Sequence, residues 1–174
     1  MCIRDSVSVV VGARADAVAQ EASALGARVV VHPEWARGMT STLRAAVVDA
    51  KNLGASGLLV CAVDQPTATR GHFARMVSAY RDRSSLVASA YAGTLGIPAL
   101  FGRDHFDEVL RLADEERGKD LLDRHASRGL RVVPLEGGDR DVDTRADLAS
   151  ANGAVHGLGA VSYTHLTLPT SDLV

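Results

Sequence analysis

Leu58-Leu59-Val60-Cys61-Ala62-Val63-Asp64-Gln65-Pro66 is an apolar run of strand length that ends on a carboxylate and is stopped by proline. A continuous Val/Leu run bounded this way suits a strand buried on both faces of a parallel sheet. In open parallel sheets, ligands gather beyond the carboxyl ends of the strands, so Asp64 stands where chemistry is expected. A carboxylate there can hold Mg²⁺, a hard cation that takes oxygen ligands and clamps phosphates. Aspartate is also a common turn residue, so capping the turn that follows is the alternative reading of Asp64.

Strand and helix patterns alternate on either side of this run. Val7–Val11 and Arg28–His32 predict strands, broken by Gly12 and Pro33. Between them Val18, Ala22 and Leu25 recur at helical spacing. Met39, Leu43, Ala46, Val47, Ala50 and Leu53 mark one face of a long helix, with Thr40 or Ser41 near its start. Phe73, Met76, Val77 and Tyr80 predict another helix; Phe106, Val109, Leu110 and Ala113 a third; Leu121 and Leu122 belong to a short one. Leu86–Ala90, Ile97–Phe101 and Leu130–Leu135 predict further strands, and Thr144–Ala149 a closing helix. Such alternation predicts an α/β fold with a mostly parallel sheet covered by helices on both faces.

Composition narrows the class. The 174 residues are 47% hydrophobic with a formal net charge of −2, which fits one folded domain and argues against disorder. No basic stripe with interleaved aromatics supports nucleic-acid binding. Cys2 and Cys61 are the only cysteines, which excludes a disulfide framework and points to a cytoplasmic setting. No apolar run reaches membrane-spanning length. The six histidines show no metal-ligand spacing with one another or with the cysteines. A G-x-S-x-G elbow and a Walker-type G-x-x-x-x-G-K-[ST] are both absent from the sequence.

The ends break from this pattern. Met1–Ser6 and Val161–Val174 resemble translated adaptor sequence, and arginine gives way to clustered threonine after Ala160. Both are expected to be non-native tails around a domain over residues 7–150.

Four motifs, in order, carry a family resemblance. His32-Pro33-Glu34-Trp35-Ala36-Arg37-Gly38-Met39-Thr40-Ser41-Thr42-Leu43 is similar to the N-P-x-W-x-x-G-M-x-S-S-L segment of molybdenum cofactor cytidylyltransferases. Val63-Asp64-Gln65-Pro66 resembles their D-Q-P, Gly96-Ile97-Pro98-Ala99-Leu100-Phe101 their G-H-P-V-L-F, and Asp141–Leu148 their D-I-D-T-P-E-D-L. The chain thus resembles a MobA-like NTP transferase from about Val7 to Leu148. The resemblance implies a three-layer, Rossmann-like nucleotidyltransferase fold in a bacterial, cytoplasmic enzyme of molybdenum cofactor biosynthesis. It implies transfer of CMP from CTP to a molybdopterin-type acceptor with release of pyrophosphate, Mg²⁺ as cofactor, and a molybdenum hydroxylase as partner.

Site residues follow from the matched positions. Asp64 is the catalytic carboxylate and metal ligand, and Asp143 the second ligand. Gly38, Met39 and Ser41, at a helix start whose N–H groups suit an anion, are expected to contact nucleotide or acceptor, as are Gln65, Pro66, Gly96 and Pro98. A plain N-cap by Thr40 or Ser41 accounts equally for the helix start. Thr144 and Asp147 have the spacing of a capping box, which leaves Asp143 unexplained by local structure. Ile97 stands where the cytidylyltransferases carry histidine, which leaves other NTP transferases of the superfamily open.

The family also begins with a strand leading into L-A-A-G-x-S-x-R-M-G-x-x-K, whose backbone N–H groups, Arg and Lys neutralise the triphosphate. This sequence contains no such loop. The first strand–loop–helix unit is therefore expected to be missing. Two functions remain open: an Mg²⁺-dependent nucleotidyltransferase, or a non-catalytic α/β module, either a catalytically inert fragment or a dedicated binding domain.

Overall fold

The computed structural model describes residues 6–144 together with 146, 147, 149, 167 and 168. In chain order the elements are β1 (Ser8–Val11), α1 (Ala15–Ala24), β2 (Arg28–Val31), α2 (Met39–Asn52), β3 (Gly57–Val60), α3 (Arg70–Ala79), β4 (Leu86–Tyr91), β5 (Thr94–Gly102), α4 (Phe106–Leu110), α5 (Gly118–His125), β6 (Arg131–Pro134) and β7 (Thr167–Leu168). Single 3₁₀ turns at Trp35–Arg37 and Arg103–His105 lead into α2 and α4.

Five strands form one sheet in the order β6-β4-β5-β3-β7. Alternate residues face opposite sides of a strand, and here both sides are apolar. Leu58, Ala88, Ala99 and Phe101 pack on Val47, Ala50, Phe106, Val109 and Leu121, so α2, α4 and α5 cover one face. Leu59, Val87, Leu100 and Val133 pack on Met76, so α3 covers the other. This is the three-layer α/β/α arrangement expected from the sequence.

Two details differ from expectation. First, β3, β4 and β6 share one direction, but β5 runs against both its neighbours. No helix separates β4 from β5. Ala92 (φ 47°) and Gly93 (φ 73°) form the turn of a hairpin instead, and two consecutive residues of positive φ match the twist of paired strands. Second, β3 ends at Val60, so Cys61–Val63 leave the sheet and Val63 is exposed. The register pairs Val60 with Ala99, so the next residue across would be Pro98, which has no N–H to donate. Beyond Ala88 the ladder resumes only at Gly96, and Ser89 Oγ donates to the Pro98 carbonyl at 2.6 Å.

β1 and β2 form a separate parallel pair. Asp49 on α2 ties it to the rest: its buried carboxylate accepts from Ser8 Oγ at 2.7 Å and Arg28 Nε at 3.0 Å. Thr167–Leu168, from the segment expected to stand outside the domain, forms β7 against Gly57–Leu58 of β3. Met1–Asp5, and the remainder of the segment after Ser150, lie outside the described residues. No helix among the described residues is long and apolar enough to cross a membrane.

Candidate functional site

The carboxyl ends of β3, β4 and β6 meet at one rim of the sheet, and a single loop closes over it. β6 runs parallel to β4 with Pro134 beside Ala90, so the chain leaves β6 at the rim where β4 ends in Tyr91. The loop is pinned to the segment after β3. Gln65 Nε2 donates to the Gly138 carbonyl at 3.1 Å, Thr67 Oγ1 to the Gly137 carbonyl at 3.0 Å, and the Val142 N–H to the Asp64 carbonyl at 2.9 Å. A side chain on Gly138 would overlap the Tyr91 ring, so glycine permits this close crossing.

These bonds bring carboxylates together. Asp64 is half-buried in the turn after β3, and its charge acts on exposed Asp141, as do those of Asp143 and Asp139. The Asp141 carboxyl is pushed above its ordinary range, by desolvation first and then by Asp64, Asp143 and Asp139. The Tyr91 hydroxyl beside them is also raised, mainly by burial, with Gln65 opposing and Asp141, Asp139 and Asp64 adding to it. Like charges gathered this way are relieved by a cation. The oxygen-only donors suit a hard one.

The carboxylates do not converge as a closed cage. Among the described residues, only His105, Glu108 and His125 bring three ligand atoms within 4.8 Å of one another. A magnesium-like ion fits the wider aspartate set, because it keeps several waters and takes one or two carboxylates plus substrate phosphates.

The other sequence-predicted residues divide between rim and interior. Gln65 is buried and donates to the Ile97 carbonyl as well as to Gly138, while its Oε1 has no partner. Pro66 is half-buried beside it. Gly96 lies under Tyr91, whose hydroxyl fills the space a Cβ would take, at 2.3 Å. Pro98 is buried within the sheet.

Gly38, Met39 and Ser41 open α2, which turns at Leu53–Ser56 and runs back along β3, so its first turn lies toward the rim. The N-cap is Gly38, with φ 104° and no side-chain cap. Thr40 and Ser41 lie inside the helix instead. Ser41 Oγ donates to the Gly38 carbonyl at 2.7 Å and contacts His32 Nε2 at 2.9 Å, and Thr40 Oγ1 donates to the Glu116 carbonyl. The first N–H groups of α2 therefore have no side-chain acceptor, and Met39 beside them is exposed. The expected capping box at the late motif is present: Thr144 Oγ1 and N–H donate to Asp147 Oδ2 at 2.7 and 2.8 Å.

Sequence reasoning passed over two members of the rim. Asp141 enters the sequence reading only as the first residue of the Asp141–Leu148 motif, two positions before Asp143. It lies in a loop, so strand alternation does not describe it. Tyr91 carries no sequence signal, since its position depends on the β4–β5 turn.

The MobA-like NTP transferase domain profile matches residues 3–129. Among solved structures, the homologue of Mycobacterium tuberculosis Rv0371c from Mycobacterium sp. strain JC1 superposes with a TM-score of 0.65 at 23% identity, covering 88% of this chain and 76% of that one. Rv0371c from M. tuberculosis H37Rv gives 0.59 at 23% identity, covering 83% and 74%. The same protein in complex with manganese gives 0.61 at 23% identity, covering 86% and 78%. Curated proteins yield no match. At this identity the structures show a shared fold, and the profile carries the family: the chain belongs to the MobA-like NTP transferase domain family.

Proposed function

We propose that the rim formed by Asp64, Asp141, Asp143 and Gln65 is the cation and substrate site of a nucleotidyltransferase, with CTP as donor and the phosphate of a molybdopterin-type cofactor as acceptor. In this reaction an acceptor phosphate oxygen bonds to the α-phosphorus of the nucleotide. The bond from that phosphorus to the bridging oxygen breaks, and pyrophosphate leaves with the electron pair. The family supports a nucleoside triphosphate as substrate, and the match of the late and central motifs to cytidylyltransferases supports CTP and the pterin acceptor.

The observation that carries the proposal is the pinning of the loop after β6 to the turn after β3, with the Val142 N–H donating to the Asp64 carbonyl at 2.9 Å, which sets Asp141 and Asp143, on either side of Val142, next to Asp64 along the chain crossing. A divalent ion bound there, Mg²⁺ or the manganese seen in the Rv0371c complex, would neutralise charge on the triphosphate. The residues themselves position the partners. Asp64 and Asp143 supply oxygen ligands, buried Gln65 holds the loop that carries Asp141 by donating to the Gly138 carbonyl, and the uncapped start of α2 offers N–H groups to a phosphate. Such a step depends on charge neutralisation and alignment more than on covalent help from the protein.

Mn²⁺ binding followed by electron paramagnetic resonance, with and without CTP, tests the site in the chain itself. We expect Asp64→Asn to weaken Mn²⁺ binding at least tenfold with the fold intact by circular dichroism. Acidification should also weaken it, because protons compete for Asp141 as pH falls through its raised pKa. Where pyrophosphate release is measurable, Asp64→Asn should lower it roughly a hundredfold or more. Unchanged Mn²⁺ affinity in Asp64→Asn overturns the assignment.

A further inference from the structure

We infer that His105, Glu108 and His125 form a second metal site, built for a zinc-type divalent transition ion and separate from the aspartate rim. The three residues come from the 3₁₀ turn after β5, from α4 and from the last residue of α5. Gly57 pairs with Gly102, so the chain leaves β5 beside the start of β3. The cluster therefore hangs from the opposite rim of the sheet to Asp64.

The donor atoms are set for coordination. His105 Nδ1 lies 3.6 Å and His125 Nε2 2.9 Å from Glu108 Oε2, and the three atoms fall within 4.8 Å of one another. In a tetrahedral zinc centre, with bonds near 2.0–2.1 Å, neighbouring ligand atoms stand roughly 3.3 Å apart. The two distances bracket that spacing, so small side-chain adjustments suffice. The rings meet edge to face, 82° apart with centroids at 5.1 Å, which leaves both nitrogens facing the same carboxylate.

A second observation points the same way. His105 Nε2 lies 2.8 Å from the Ser84 carbonyl, and a carbonyl only accepts. Nε2 is thus the donor to that carbonyl, which leaves Nδ1 as the ring nitrogen turned toward Glu108. Histidine ligands of metals are oriented by this kind of outer hydrogen bond to a backbone carbonyl. The histidine side chains are 16% and 18% exposed and Glu108 35%, so one side stays open for water as a fourth ligand. Two imidazoles and one carboxylate favour zinc or its first-row neighbours over Mg²⁺. Without metal, His125 Nε2 and Glu108 are hydrogen-bond partners at 2.9 Å, a contact that a bound ion would replace. A bound ion would clamp α5 to α4 and the end of β5.

The test is calorimetric titration of the untagged full chain with Zn²⁺, beside the visible spectrum of its Co²⁺ form. One Zn²⁺ per chain is expected, with low-coordinate Co²⁺ bands that Zn²⁺ abolishes. Glu108→Gln, which keeps the shape and hydrogen bonding of the side chain, should weaken Zn²⁺ binding at least tenfold, and His125→Ala should do so more strongly. In the unmutated protein, Zn²⁺ should protect His105 and His125 from acylation by diethyl pyrocarbonate, which does not depend on any variant folding. Unchanged Zn²⁺ affinity in Glu108→Gln, equal acylation with and without Zn²⁺, or loss of Zn²⁺ binding in Asp64→Asn alone overturns the inference. The first two outcomes leave a hydrogen-bonded staple, and the third moves the ion to the aspartates.

Discussion

The β1–β2 pair and the five-stranded sheet are both made from short apolar strands, yet they are stabilised differently. In the sheet, β5 is the middle strand, and Ala99, Leu100 and Phe101 are buried between two helical layers. In the pair, only Val11 is a buried hydrophobe of the strands, Val31 is 62% exposed, and α1 buries Ala22 alone. A two-stranded arrangement is marginal by itself. Beyond the packing of Val10 on the core, what fastens it is polar, the Ser8–Asp49–Arg28 cluster. Burial on both faces is what turns an apolar strand into a stable one.

The widest gap between the regions should come from cavity formation. Phe101→Ala is expected to cost about 3–5 kcal/mol, since a fully buried aromatic leaves a void that a packed sheet refills poorly. Leu25→Ala, at a side chain 71% exposed on the α1 side, should stay within about 0.5 kcal/mol. Chemical denaturation of the two variants measures both, and comparable losses would break the contrast.

A sharper version uses the same substitution in each region. A Cβ on Gly102 would meet the Arg83 carbonyl oxygen at 2.2 Å, and backbone cannot step aside. A Cβ on Gly12 would meet Trp35 Cβ at 2.4 Å, and relief there means shifting the exposed short turn that carries Trp35 rather than a paired strand. Gly102→Ala should therefore cost about 2–3 kcal/mol and Gly12→Ala about 1 kcal/mol or less. Equal values would mean that Trp35 is held as firmly as the sheet.

The smallest expected effect is acid sensitivity on the α3 side of the sheet. His72 is fully buried, and its Nε2 donates to Ser89 Oγ at 2.8 Å because that hydroxyl donates to Pro98. Its Nδ1 has no partner. Burial, with Arg75 adding, lowers its pKa below 6.5. The unfolded chain then binds a proton at higher pH than the folded one does. The His72 contribution is complete above pH 6.5 and is lost as pH falls from 6.5 toward the depressed folded value. Thermal unfolding at pH 7 and pH 5 should show the loss, and His72→Gln should flatten the slope. An unchanged slope would assign acid sensitivity elsewhere.

Much of the sheet was legible in the sequence because each buried strand announces itself as a short apolar run. β3, β6 and the long face of α2 fall close to where periodicity puts them. The hairpin was not legible, because its first turn residue is Ala92, which carries no turn signal and only takes positive φ once β4 and β5 pair. At the site, Asp64 and Gln65 could be read from an apolar run ending in D-Q-P. Asp141 could not be placed, since a loop crossing fixes it through Gly138 and Val142. The His105–His125 pairing was equally hidden. The two lie twenty positions apart in sequence, and only the fold, which brings the end of α5 against the turn before α4, makes them neighbours.

Trp35 is the single tryptophan of the chain, and it rests on Gly12 where β1 ends. Its emission is thus a built-in optical reporter of one end of the β1–β2 pair and of nothing in the sheet. Followed beside far-ultraviolet circular dichroism during denaturation, it distinguishes one cooperative transition from two. Should the emission red-shift before ellipticity falls, the pair opens first, and the start of α2, which follows Trp35 directly, loosens with it.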